Sequence, residues 1–143
     1  MMTAYVDASA VVKLYVDDEG PGFDLAPVTA AFDSLTTSRL TYVETTAALA
    51  AMRRAGRLSP ARHAAALDEF AVLWATFDVI DVSHDVARDA GEVAETFGLR
   101  AGDAIHLASL RALDAPAVPL VAWDVRLRAA ALANGYACFP PEV

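Results

Sequence analysis

The chain has 143 residues, one of them cysteine, with 56% hydrophobic and 21% charged residues and a formal net charge of −8. That is one domain's worth of chain with enough apolar content for a full core. No apolar run approaches the ~20 residues of a bilayer span. The acidic balance argues against a protein that coats nucleic acid through a broad basic surface, yet it leaves room for an enzyme that uses a local basic patch and metal ions.

The start MMTAYVDASA has no basic region and meets Asp7 almost at once, so no signal peptide is expected. Cys138 has no internal disulfide partner, which suits a reducing cytoplasm. Residues 3–8 read as a strand, after which Ser9 is placed to cap a helix through AVVKLYV. The segment DDEGPG at 17–22 reads as a turn, and part of 23–34 as a second helix. A second strand is expected over 35–40 and a strong helix over 41–55, closed by Gly56.

Ser59 and Pro60 mark the next helix start, and that helix runs through HAAALDEFAVLWATF. A third strand follows over 77–82, then a helix capped by Ser83 and closed by Gly98. Another helix is expected over 101–113, a fourth strand over 118–122, a helix starting at Asp124 and a last short strand at YACF. Strands alternating with helices predict parallel connections and a sheet covered on both faces.

In open sheets of this kind, sites form beyond the carboxyl ends of the strands. Asp7 ends the first strand, Asp124 follows the fourth, and Glu44 lies about one helical turn past the second. Each acid also has a plain structural reading. Asp124 can be an N-cap. Thr41 and Glu44 have the spacing of a capping box, T-x-x-E. Asp103 sits in a first helical turn, where negative charge suits the helix dipole. Asp7 is harder to dismiss, because a carboxylate closing an apolar central strand is costly to desolvate. Four carboxylates within ~5 Å of one another would repel by roughly 3 kcal/mol per ionised pair at an effective dielectric of ~20. Such a cluster must take up protons or hold a cation. All-oxygen donors favour Mg²⁺ or Mn²⁺, and nothing in the Cys and His spacing suggests zinc. A cation so held can polarise a phosphodiester and activate water.

The segments VDASAVVKLYVDDEG, SRLTYVETTAAL, LRAGDAIHLAS and WDVRLRAAALANG, in this order and spacing, resemble a PIN-domain protein. Within that family the chain is most similar to VapC-type toxins of bacterial toxin–antitoxin pairs. The resemblance covers essentially the whole chain, 1–143, as one PIN domain, and the run ending in DAIHLAS is its most specific motif. It implies an α/β fold: a three-layer α/β/α sandwich on a parallel sheet ordered 3-2-1-4-5. It also implies Mg²⁺-dependent endoribonuclease activity on RNA, with Asp7, Glu44, Asp103 and Asp124 as the acidic quartet. By the same carry-over, Asp7 and Asp103 contact metal directly, while Glu44 and Asp124 complete the site directly or through metal-bound waters. A homodimer, a cytoplasmic location and a cognate VapB-type antitoxin covering the acidic groove are further implications.

Several neighbours have two readings. Ser9 can orient the Asp7 carboxylate as well as cap a helix. Lys13 can reach a phosphate or be a solvated surface lysine, and Arg100 can meet substrate phosphate near Asp103. Arg53, Arg54 and Arg57 read first as cations that favour a helix C-terminus. His106, three residues past Asp103, can hydrogen-bond that acid, although a core histidine satisfied by backbone is the plainer expectation. Phe70, Trp74 and Phe77 have core spacing. The alternatives are a PIN nuclease of RNA processing without an antitoxin, and a non-catalytic antitoxin-binding relative. A phosphoacceptor receiver domain fits poorly, because the acidic pair is displaced to Asp17 and no lysine follows the fourth strand.

Overall fold

The computed structural model describes residues 2–16 and 24–142, so the turn expected at 17–22 lies outside the described residues. Five strands form one parallel sheet: β1 (Thr3–Val6), β2 (Ser34–Ser38), β3 (Asp78–Ile80), β4 (Leu120–Val121) and β5 (Cys138–Phe139). Their order is β3-β2-β1-β4-β5, with Tyr5 of β1 in register with Thr36 and Leu120 on its two sides. Seven helices connect them among the described residues: α1 (Ala8–Lys13), α2 (Ala26–Ala31), α3 (Leu40–Arg54), α4 (Pro60–Trp74), α5 (His84–Phe97), α6 (Ala101–Ala112) and α7 (Val125–Ala133).

The alternation of side chains along β1 builds the three layers. Ala4 and Val6 enter one core with Val11, Leu35, Leu49 and Phe70 from α1, β2, α3 and α4. Tyr5 enters the opposite core with Leu107, Leu110, Leu120 and Leu127, from α6, β4 and α7. Both faces of β1 are therefore buried, as expected for a central parallel strand. Phe70 and Phe77 are core residues and Trp74 packs against them, with tilted and edge-to-face ring contacts at centroid distances of 5.9 and 6.0 Å. Among the described residues, no helix is long and apolar enough to cross a membrane.

Ser59, Ser83 and Asp124 cap their helices as expected, accepting from Arg62 N, Val86 N and Leu127 N respectively. Gly98 closes α5 in the left-handed conformation, φ 64°. Two expected caps differ. The N-cap of α1 is Asp7, whose side chain accepts from Ala10 N, so the helix begins ahead of Ser9. The capping box at Thr41 does not form, because α3 already starts at Leu40 with Arg39 as an uncapped N-cap residue. The Thr41 hydroxyl instead lies 2.7 Å from that of Thr37, which also sits 2.6 Å from the Val6 carbonyl oxygen and donates to it. Tertiary hydrogen bonding to the β1–β2 edge outcompetes the local cap, and Glu44 is released for other partners.

Candidate active site

Four elements bring the acids to the carboxyl edge of the sheet. Asp7 follows β1 directly, Asp124 follows β4 after Ala122 and Trp123, and Glu44 lies in α3, which leaves β2. Asp103 has no strand before it. It stands in the first turn of α6, which packs against α5 and against β2, and that packing carries it to the same edge.

Asp7 is buried, at 3% exposure. Its Oδ1 accepts from Ser9 Oγ at 2.7 Å and from Ala10 N at 3.1 Å. Burial pushes its pKa from 3.8 up to about 6, and the Glu44 charge adds to the rise; His106 and the Ser9 and Ala10 hydrogen bonds pull the other way. The Asp103 carboxyl is also raised, first by burial and then by the charges of Asp124 and Glu44, with His106 and Arg100 opposing. The electrostatic coupling therefore runs among Asp7, Glu44, Asp103 and Asp124, as one acidic group.

Each scaffolded carboxylate is tied through one oxygen. Asp7 uses Oδ1, Asp124 uses Oδ1 to Leu127 N at 2.9 Å, and Glu44 uses Oε1 to His106 Nε2 at 2.6 Å. Among the described residues no hydrogen bond engages the second oxygen of these three, and the donor set is all oxygen, which fits a hard divalent cation. The grouping is open rather than a ready-made cage. Among the described residues, no three His, Cys, Asp or Glu side chains converge closely enough to hold a metal.

The two readings of Ser9 resolve in favour of orienting Asp7. Its Oγ donates to Asp7 and accepts from Trp123 N at 3.0 Å, joining the end of β1 to the segment that carries Asp124. Ser9→Ala is expected to raise the Asp7 pKa further and to cut activity roughly 10-fold, with the rising limb of the pH–rate profile moving to higher pH. A profile superimposable on wild type would refute that role. Lys13 lies 5.4 Å from the Trp123 ring centroid, a cation–π contact next to Asp124. Arg100 is the N-cap residue of α6 and faces Asp103 electrostatically.

His106 departs from the expectation of a core histidine satisfied by backbone. It is buried, at 2% exposure, and both ring nitrogens meet side chains: Nδ1 the Tyr5 hydroxyl at 2.9 Å and Nε2 the Glu44 carboxylate. Burial opposes charge on its ring, but the Glu44 hydrogen bond and the charges of Asp7, Glu44 and Asp103 outweigh it and hold the pKa above 6.5. Burial also pushes the Tyr5 hydroxyl well up, so it stays a neutral phenol. The clue to Tyr5 was a hydroxyl inside an otherwise apolar central strand, since a buried Tyr usually finds a partner.

The PIN domain family matches residues 4–133 of the chain. Ribonuclease VapC45 of Mycobacterium tuberculosis is 35% identical over 143 residues, spanning 100% of this chain and 99% of that one. Among solved structures, PAE2754 from Pyrobaculum aerophilum superposes with a TM-score of 0.72 at 24% identity, covering 96% of this chain and 92% of that one. A chain of a toxin–antitoxin complex from Klebsiella pneumoniae does so with a TM-score of 0.59 at 17% identity, covering 98% and 95%. At those identities the structural likeness is one of fold, whereas the likeness to VapC45 spans both sequences. The chain belongs to the PIN domain family, among the VapC ribonucleases.

Proposed function

We propose that this chain is a VapC-type toxin, an endoribonuclease that hydrolyses RNA phosphodiester bonds with a divalent cation held by Asp7, Glu44, Asp103 and Asp124. The observation that supports it best is the gathering of these four acids from four separate elements, with the shifts at Asp7 and Asp103 marking them as one charged group. Mg²⁺ is the natural occupant and Mn²⁺ its substitute, because the donors are all hard oxygens. Once bound, the cation supplies Lewis-acid polarisation of the phosphate and a water of lowered pKa.

The chain's own residues do the rest. Asp7 and Asp103 hold the cation directly, and Glu44 and Asp124 complete its surroundings. Ser9 fixes the Asp7 carboxylate, and Arg100, at the start of α6, takes a substrate phosphate through its guanidinium. With the whole chain, 1–143, acting as one PIN domain in the cytoplasm, a cognate VapB-type antitoxin restrains it and the chain works as a homodimer.

The test is cleavage of total RNA by the purified protein with Mg²⁺, with Mn²⁺ and with EDTA, followed by sequencing of RNA 5′ ends after brief induction in cells. Cation-dependent cleavage at a small set of sites is expected, together with growth arrest relieved by the co-expressed neighbouring antitoxin. Cation binding without cleavage of any RNA would leave only a non-catalytic relative.

A further inference from the structure

The buried hydroxyl–imidazole–carboxylate line behind the acids spans three elements that also carry three of those acids. Tyr5 lies on β1, two residues before Asp7; His106 lies on α6, three residues after Asp103; Glu44 itself lies on α3. Tyr5 and His106 are 0% and 2% exposed and meet edge to face, with centroids 6.0 Å apart. Packing fixes both rings, so the end of the line is a rigid donor. An ionised carboxylate only accepts hydrogen bonds, so Nε2 donates to Glu44 whether the imidazole is neutral or charged.

A glutamate has three rotatable side-chain bonds, and on a half-exposed helix face it would sample many rotamers without an anchor. A second observation concerns its other oxygen. A Cβ at Gly102, in the first turn of α6, would come within 3.3 Å of Glu44 Oε2. Glycine is disfavoured inside helices, and here a side chain would press on Oε2, which would have to give by a few tenths of an ångström.

We infer that His106, backed by Tyr5, is a positioning residue that fastens Glu44 by Oε1 and leaves Oε2 as the oxygen available to the cation, and that Gly102 keeps Oε2 clear of a neighbouring side chain. This rests on the reading of Glu44 as part of the cation site. The line costs the core a buried polar network where apolar side chains would pack more cheaply. What it returns is a fixed carboxylate and a fixed spacing among the elements bearing Asp7, Asp103 and Glu44.

The experiment is Mn²⁺ affinity of the purified protein, read by electron paramagnetic resonance of free Mn²⁺, with thermal melts as the fold control. His106→Leu is expected to weaken Mn²⁺ binding about 10-fold or more, and Gly102→Ala and Tyr5→Phe each by several-fold, about 3. His106→Gln keeps an N–H donor and should recover most of the loss. In the double variant Glu44→Gln/His106→Leu, affinity should fall no further than in Glu44→Gln alone, because one residue acts through the other. Wild-type affinity in His106→Leu and Gly102→Ala, or losses that simply multiply in the double variant, would overturn the inference. If His106→Leu fails to fold, Gly102→Ala and Tyr5→Phe decide the matter alone. Unchanged affinity in Glu44→Gln would instead remove the reading of Glu44 beneath it, so the two failures are distinguishable.

Discussion

Asp103→Asn and Asp7→Asn should each lower RNA cleavage by about 10³-fold or more and abolish growth inhibition, while the protein remains folded. The size follows from the chemistry: a cation contributes several kcal/mol of transition-state stabilisation, and each ~1.4 kcal/mol is a factor of 10 in rate. The retained fold follows from what the two side chains hold. Asp103 stands in the first turn of α6, where the helix dipole favours its charge, but burial and the charges of Asp124 and Glu44 disfavour it more, so its neutralisation does not weaken the fold. Asp7 caps α1 and receives Ser9 through a single oxygen, Oδ1, and the amide oxygen of asparagine can take over both bonds. Circular dichroism and thermal midpoints check the fold, and a quantitative assay on a defined RNA checks the rate. Wild-type cleavage by both variants would sink the assignment of the acidic group. Loss of cleavage accompanied by unfolding would trace the effect to α1 rather than to the site.

Much of this site was legible in the sequence because three of its acids are placed by strand ends. Asp7, Asp124 and Glu44 follow β1, β4 and β2, and the carboxyl-edge rule for parallel sheets needs only that order. Asp103 was less accessible to that argument. Its helix follows another helix, so only tertiary packing and the family motif place it at the edge. The misreadings are of one kind. Ser9 and Thr41 carry good capping side chains, but in the fold Ser9 binds Asp7 and Trp123, and Thr41 meets Thr37 of β2, so neither hydroxyl caps a helix. His106 was misplaced for the same reason, since its partners lie 101 and 62 residues away in Tyr5 and Glu44. Spacing along one helix cannot reveal a bond between three elements. Strand ends were blurred by one or two residues, as with β2, expected over 35–40 and found at Ser34–Ser38.

The electrostatic strain of the site should also appear in the stability of the metal-free protein, with a sign opposite to that of most carboxylates. Asp7 titrates at 3.8 in an open chain and at about 6 in the fold. Between those values the folded protein binds more protons than the unfolded chain, so stability falls as pH rises through the window. About two units at ~1.4 kcal/mol each give a loss of about 3 kcal/mol, complete above about pH 6 and absent below about pH 4. Asp103 is raised as well and contributes in the same direction. His106 acts at higher pH: its pKa is raised above 6.5, so its stabilisation is full below that value and is lost as pH climbs through the folded one. All three effects point the same way. In EDTA the thermal midpoint should therefore drop by roughly 10 °C between about pH 4.5 and about pH 8, measured by differential scanning fluorimetry or calorimetry. Asp7→Asn should flatten the lower part of that curve and be more stable than wild type at neutral pH, less ~1 kcal/mol or so for burying the amide. Saturating Mn²⁺ should restore the wild type at neutral pH, since a cation bound only by the folded state stabilises it by mass action, and should do little for Asp7→Asn. A wild-type curve in EDTA that is flat, or that rises across this range, would mean that Asp7 is not a strained carboxylate. With the predicted slope, the carboxylate that strains the metal-free fold is one of those in the proposed cation site.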